Sequence, residues 1–334
     1  MRQIPERWVI KGTLTTTSPM HIGTGATCED DRLKYKRGEI AGTSELNLIV
    51  RDVDGKPCIP GSALKGVLRH YAKDCKDCGV TEANFQLLFG DLARSAGSRP
   101  AQHADHHAGR VQFRTATFAT GPAACRGSTT RDALPHGGMP HFNETAMAGI
   151  NTGHARDRAT GTVVAQKLFH DEVVPAHTKF DLELRASHLN KEQVQVLLGL
   201  LVGFNEDKNN LSIGAGGSSG QGRLKWRCQE QDPVRQLTSE DATKWWADQL
   251  TGLGSHDWAV AAQPCDFEAA TLSPTNAPIA FEGAITIDGP FLVHSGMESK
   301  KGEPDFRPRR TQDGRVELPG RSLHGALRAQ AERI

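Results

Sequence analysis

Several things are missing from this sequence, and each absence excludes something. No apolar run approaches the length that spans a bilayer, so no membrane segment is expected. The opening residues, Met1-Arg2-Gln3-Ile4-Pro5-Glu6-Arg7, carry no signal-peptide hydrophobic region, and the expectation is a cytoplasmic protein with no membrane partner. Net charge is nearly absent: +1 over 334 residues is little for a chain that holds duplex DNA by phosphate neutralisation. The seven cysteines are odd in number and irregular in spacing, which suits a reducing compartment better than a disulfide framework.

What is present argues for a folded, two-part chain. At 334 residues, two domains are the natural expectation. With 37% hydrophobic and 24% charged residues, a globular core can form and wholesale disorder is excluded. The 35 glycines suggest many turns and places where backbone approaches something closely. Local charge is uneven. Residues 301–334 hold eight Lys/Arg against five Asp/Glu, densest at Arg307-Pro308-Arg309-Arg310.

The chain repeats itself. One copy opens with Ile10-Lys11-Gly12-Thr13-Leu14-Thr15-Thr16-Thr17-Ser18-Pro19, the other with Phe281-Glu282-Gly283-Ala284-Ile285-Thr286-Ile287-Asp288-Gly289-Pro290. Both alternate apolar and polar residues and read as a β-strand stopping at a proline and resuming. After a variable polar stretch, each reaches a second shared block. The first copy runs Asp54-Gly55-Lys56-Pro57-Cys58-Ile59-Pro60-Gly61-Ser62-Ala63-Leu64-Lys65-Gly66-Val67-Leu68-Arg69. The second runs Asp313-Gly314-Arg315-Val316-Glu317-Leu318-Pro319-Gly320-Arg321-Ser322-Leu323-His324-Gly325-Ala326-Leu327-Arg328. Asp-Gly signals a tight turn. Pro-Gly breaks the strand, and Ser62 or Ser322 helps start a helix. Such a corner aims free backbone N–H groups at an anion. With Lys65, Arg69, Arg321 and Arg328 in the first turns, it reads as a grip on a phosphate backbone. The plain alternative is a strand-to-helix corner with solvated basic residues, which the repetition disfavours.

Between the copies, Phe85–Asp91 reads as a helix ending in glycine. Gly109–Ala116 alternates like a strand, and 93–107 reads as a loop. Residues 120–160 lack periodicity and read as a long functional insertion. Phe180–Arg185 is a strand and Lys191–Leu201 the clearest helix. Then comes Ile213-Gly214-Ala215-Gly216-Gly217-Ser218-Ser219-Gly220-Gln221-Gly222-Arg223, a loop whose main chain can lie against phosphates or sugars, and a strand through Trp226. The order is that of a ferredoxin-like α+β fold. Residues 229–277 read as a connector with a helix over Ser239–Leu250, its Trp245 and Trp246 packing on a neighbouring surface.

These motifs together resemble the RAMP superfamily, and more narrowly the backbone subunits of type III CRISPR effectors. The resemblance rests on His21-Ile22-Gly23, the Ile-Pro-Gly-Ser block, Leu88-Phe89-Gly90, Arg156-Asp157-Arg158-Ala159-Thr160-Gly161 and the late glycine loop. The pairing of the Pro-Gly-Ser block with the glycine loop is the specific part. It covers most of 8–228 and restarts near 278. It implies a modified RNA-recognition fold in tandem: a first module over 1–228, a linker over 229–277 and the start of a second module over 278–334. It implies a palm holding guide RNA by its backbone and a thumb hairpin near 139–166, entered through Asn151-Thr152-Gly153-His154. The implied partners are guide crRNA, complementary target RNA and other effector subunits. The implied RNA contacts are Gly61, Ser62, Lys65, Arg69, Arg156, Arg158, Gly216, Gly217, Gly220, Arg307, Arg309, Arg310, Gly320, Arg321, Ser322 and Arg328. Recognition by backbone suits RNA read by shape and 2′-hydroxyls.

Catalytic members resemble one another in a loop Asp upstream of the Pro-Gly-Ser block, associated with metal-dependent target cleavage. Aligning the copies puts Asp305 there in the second and Leu46, between Glu45 and Asn47, in the first. Asp30 and Asp31, read in the same loop, are the alternative acids. A carboxylate suits Mg²⁺ or Mn²⁺, which take oxygen ligands, and Arg307, Arg309 and Arg310 suit the developing phosphate charge. The plain alternative for Asp305 is a loop acid balancing those arginines. Cys75-Lys76-Asp77-Cys78 resembles the zinc knuckles of some relatives, with His70, His103, His106 and His107 as further donors, although a tetrahedral structural zinc needs four ligands. Free surface thiols are the alternative. The leading expectation is therefore an RNA-guided endoribonuclease subunit. The alternatives are a non-catalytic RNA-binding scaffold and a guide-processing endonuclease, the latter disfavoured because no histidine matches that family's general base. The second copy has only about 54 residues, enough for half of a ferredoxin-like module. It is expected to depend on further chain or a partner to cover its sheet edge and core.

Overall fold

The computed structural model describes residues 5–37, 40–76, 79–90, 108–121, 142–157, 163–251, 257–275, 281–293, 308, 310 and 315–332. In chain order the elements begin with β1 (Arg7–Thr16), β2 (Gly23–Arg37), β3 (Ile40–Ile49), α1 (Gly61–Asp74) and α2 (Glu82–Phe89). They continue with β4 (Val111–Phe113), β5 (Thr117–Thr120), β6 (Gly149–Arg156), β7 (Val163–Val173), β8 (Lys179–Ser187) and α3 (Lys191–Val202). The last are β9 (Leu224–Cys228), β10 (Val234–Leu237), α4 (Ser239–Leu250), α5 (Trp258–Ala261), β11 (Gln263–Pro264) and α6 (Gly320–Ala331).

Period-2 alternation sets the main sheet. In β1 the side chains of Trp8, Ile10 and Leu14 are buried while Lys11, Thr13 and Thr15 are only half-buried. In β8, Phe180, Leu182, Leu184 and Ala186 are buried in the same way. β1 lies at the centre, antiparallel to β8 on one side and to β10 and then β9 on the other. β4 and β5 both pair with β8 at the far edge. The order β9, β1, β8, β4/β5, with α1 after the first strand and α3 after β8, is the ferredoxin-like arrangement of an α+β fold. The apolar stripes of α1 (Leu64, Leu68, Tyr71) and α3 (Val194, Leu197, Leu201) share one core with the inward face of this sheet. Asn190 starts α3 with a capping box, its side chain accepting from the Gln193 amide.

The segment expected as a connector is packed onto this layer. β10 pairs with Arg7–Ile10, and Phe267 and Leu272 pack against the core. β8, α3 and the expected helix over Ser239–Leu250 are found where the periodicity predicts them.

Two expectations are corrected. The polar stretch after β1, read as a loop carrying Asp30, Asp31 and Leu46, is a long antiparallel hairpin, β2–β3. It joins the β6–β7 hairpin through parallel pairing of β3 with β7 to make a four-stranded sheet ordered β2-β3-β7-β6. The regular hydrogen bonding extends into the segment read as an aperiodic insertion, where Ile150 is buried against Leu33 and Leu46. Second, residues 281–287 are not a strand. They have the alternation of one, but no strand lies alongside among the described residues, and Phe281 and Ile285 are 92% and 61% exposed.

Candidate nucleic-acid interface

The two Pro-Gly helices start alike. Pro60 precedes α1 and Pro319 precedes α6; neither supplies a side-chain cap, and neither helix has an acidic residue in its first turn. Both N-termini therefore keep their partial positive charge unanswered by a carboxylate of their own. Their surroundings differ. A side chain at Gly61 would put its Cβ 1.9 Å from the Phe113 carbonyl oxygen, so this glycine is a packing residue against β4. At Gly320 the near neighbour is the Ser219 carbonyl of the glycine loop, 2.6 Å from a Cβ built there. The second Pro-Gly helix thus begins on the glycine loop at 213–223.

That loop is held at both ends by backbone. Ile213 donates to the Gly222 carbonyl at 2.9 Å, Ala215 to His21 at 2.8 Å and Gly222 to Pro19 at 2.9 Å. Its middle, Gly217–Ser219, is a single 3-10 turn flanked by Gly216 and Gly220 in the left-handed region. Gly220 is exposed, with nothing within 4 Å of where a Cβ would lie. Main chain here is open to a close-packed ligand.

The β6–β7 hairpin forms the adjoining wall. Gly153 on β6 stands opposite Phe169 on β7, and lacking a side chain it lets the phenyl ring lie across it. Arg321, from the first turn of α6, stacks over that ring at 5.4 Å and reaches Asp171 at 3.8 Å. Its Nη1 is buried without a hydrogen-bond partner among the described residues. A guanidinium held in place with a donor unused is suited to a phosphate oxygen.

Other expected contacts are dispersed. Ser62 is exposed and Lys65 half-buried on α1. Arg69 is turned inward: its Nη1 donates to the carbonyls of Phe89 and Gly90 at 3.2 and 3.1 Å, and it lies over the Phe85 ring. It closes the C-terminus of α2. Ser322 is exposed, and Arg328 pairs with Glu332 at 3.1 Å. Arg310 sits in an isolated bridge with Val316. Arg156 ends β6. Asp305, Arg307, Arg309, Arg158 and Cys78 lie outside the described residues. Leu46, aligned with Asp305, is 1% exposed on β3, and its neighbour Asn47 donates to Asp171 at 2.9 Å.

Of the donors proposed for zinc, Cys75 and His70 are among the described residues; Cys78, His103, His106 and His107 lie outside them. Cys75 is buried in the core at the end of α1, whereas His70 is exposed on the same helix. Among the described residues no group of three or more His, Cys, Asp or Glu side chains is placed to hold a metal ion.

One network was not readable from the sequence. Arg51 donates to the Gly55 and Ala146 carbonyls and to Glu172 Oε1 at 2.5 Å. Glu172 also accepts from the Ile49 amide, and its carbonyl lies 2.6 Å from His21 Nδ1. This ties the hairpin sheet to the start of the glycine-loop anchor. His21 stands in a quotable motif, but Arg51 and Glu172 are 121 positions apart and carry no local signal.

A ferredoxin-like sheet, an open glycine loop beside it and a hairpin wall on which Arg321 of α6 rests with an unused donor bring anion-binding groups together in one place. The family comparison agrees. The RAMP superfamily model matches residues 13–225, and the chain belongs to that superfamily, whose members are CRISPR-associated RNA-binding subunits acting in multi-subunit complexes. A search of the curated proteins found no match. Among the described residues, no helix is long and apolar enough to cross a membrane.

Proposed function

We propose that this chain is a backbone subunit of an RNA-guided type III CRISPR effector, a tandem RAMP protein that holds guide crRNA and cuts complementary target RNA through Asp305 of its second module. The observation that carries the RNA-holding half is the meeting of three features at one place: the glycine loop, the β6–β7 hairpin and the start of α6 with Arg321. The thumb role belongs to that hairpin. Backbone amides, glycine main chain and arginine are the donors that read an RNA backbone without reading its sequence. The cutting half rests on alignment of the two copies. A Mg²⁺ or Mn²⁺ ion, if held by Asp305, would supply Lewis-acid stabilisation at the scissile phosphate. The arginines at 307, 309 and 310 would then neutralise charge near that point.

A second reading, a scaffold that binds RNA without cutting it, is favoured for the first module by one observation: the position aligned with Asp305 is a buried core leucine, Leu46. The test is Asp305→Ala in the assembled complex with guide and target RNA. Loss of divalent-metal-dependent target cleavage with unchanged guide binding supports the cutting role. Undiminished cleavage assigns the chain to the scaffold reading.

A further inference from the structure

The outer face of the main sheet, away from α1 and α3, carries a second cluster that the glycine-loop interface does not use. Arg7 opens β1, and its guanidinium lies near two indole rings, 5.6 Å from the Trp245 centroid and 5.3 Å from the Trp258 centroid. Arg185 of β8 lies 5.5 Å from Trp258 and is clamped by Asp257 through two hydrogen bonds of 2.7 and 2.8 Å. Arg110, exposed beside β4, donates to the His188 carbonyl at 2.5 Å. Arg7, Arg110, Arg185 and Trp258 line a cleft of about 200 Å³ together with Gln112 and His188.

The charges in this cleft are not balanced. Arg185 is answered by Glu183 and Asp257. Among the described residues, Arg7 and Arg110 have no carboxylate within ion-pair distance, and the Arg7 side chain makes no hydrogen bond. The two indoles lie against the Arg7 guanidinium, and with no carboxylate or hydrogen bond on it among the described residues its N–H groups are donors available to a ligand. Two guanidiniums with unspent donors at one cleft match a tetrahedral oxyanion.

We infer that this cleft is a phosphate-binding site separate from the glycine-loop interface. Nine residue steps along β1 separate Arg7 from Thr16, and the amide of Thr17 bonds Arg223 at the end of the glycine loop, so the two sites stand roughly 30 Å apart. The cleft's volume is below the usual range for a whole small-molecule ligand. It takes a phosphate group with part of its sugar, which favours a phosphate of a passing nucleic-acid strand over a complete mononucleotide. The site does not depend on the role given to Asp305 or to the glycine loop.

The reporters are built in. Of the five tryptophans, Trp258 lines the cleft and Trp245 lies near its Arg7, whereas Trp8 and Trp226 are buried in the core. The full chain carrying 5-fluorotryptophan is titrated, by fluorine NMR, with a single-stranded RNA decamer, inorganic phosphate, AMP and a polyglutamate peptide. The expected result is a saturable shift of the Trp258 resonance with RNA and phosphate, weakened at least about tenfold in Arg110→Gln. Arg110 is exposed, so this variant keeps the fold, and Trp8 and Trp226 resonances that stay in place verify it. Tighter saturation by RNA than by AMP identifies a strand as the source of the phosphate; equal saturation identifies a free anion; both support the site. A Trp258 resonance that ignores RNA and phosphate, that moves equally in Arg110→Gln, or that answers only polyglutamate overturns it. Arg321→Ala, at the other interface, leaves this readout unchanged.

Discussion

Gly61 and Gly66 stand five positions apart on α1 and answer opposite demands. A Cβ at Gly61 would meet the Phe113 carbonyl at 1.9 Å, and backbone cannot swing aside as a side chain can. Gly66 is exposed, with nothing within 4 Å of a Cβ position. Gly61→Ala is therefore expected to lower stability by about 1–3 kcal/mol through overpacking. Gly66→Ala is expected to raise it by about 0.5–1 kcal/mol, because alanine is the better helix former. Thermal unfolding of the two variants checks both signs, and an unchanged Tm for Gly61→Ala would sink the packing role. The same distinction separates the two halves of the sequence motif. Its Pro-Gly turn and helix start were legible, and so was the basic character of Lys65 and Arg69. What was not legible is direction: Arg69 faces inward, its guanidinium on the carbonyls that end α2. A basic residue in an amphipathic helix reads the same in sequence whether it points to solvent or caps a neighbouring helix.

At the scale of elements, local periodicity foretold what local periodicity controls. β8, α3 and α4 each carry their own alternation or 3.6-residue pattern and lie where it predicts. β2 and β3 escaped because a hairpin with a polar face and register shifts lacks clean alternation; the pairing with β7 that fixes it comes from more than a hundred residues downstream. Residues 281–287 failed in the opposite way, having the pattern without a strand alongside among the described residues. The cleft around Arg7 was invisible because β1, β4, β8 and α5 bring its parts together. Within it, the Asp257–Arg185 clamp makes a pH prediction. The hydrogen bond from Arg185 holds the Asp257 carboxyl below its ordinary value of 3.8, against a smaller opposing effect of burial. A depressed carboxylate contributes stability that is fully present above 3.8 and is lost as pH falls through the lower folded-state value. Asp257 also starts α5, accepting from the Ala259 amide. Hydrogen exchange at Ala259 and Val260 is expected to be protected above that range and to speed up in more acid solution, after correction for intrinsic rates. Asp257→Asn should remove the pH dependence; if it persists in that variant, another group is responsible.

At the scale of the whole molecule, the two Pro-Gly helices share a sequence pattern and differ in what covers them. Leu68 of α1 is fully buried, whereas Leu327, its counterpart on α6, is 62% exposed, and α6 has no buried residue. A helix of 12 residues is marginal by itself in water. Among the described residues, what holds α6 to the rest of the chain is its beginning: Gly320 on the Ser219 carbonyl, and Arg321 on Phe169 and Asp171. A 3.8 Å ion pair with a partly exposed arginine contributes about 0–1 kcal/mol. The amides of α6 are therefore expected to exchange far faster than those of α1 and α3, whose apolar faces share the main core. Arg321→Ala removes both the ion pair and the stack on Phe169, and should speed α6 by no more than about thirtyfold, the factor that about 2 kcal/mol allows, without moving the Tm of the main core. Exchange as slow in α6 as in α1 would show that apolar cover, not this polar foot, secures the helix. The polar foot stands on the glycine loop itself, so a ligand that orders the loop and satisfies the free donor of Arg321 also orders the start of α6. On the proposed function that ligand is guide RNA, and its addition to the chain should slow exchange at 320–331 while leaving α3 unchanged. One bound strand would then stabilise the contact between α6 and the glycine loop by bridging two surfaces that hold each other only weakly.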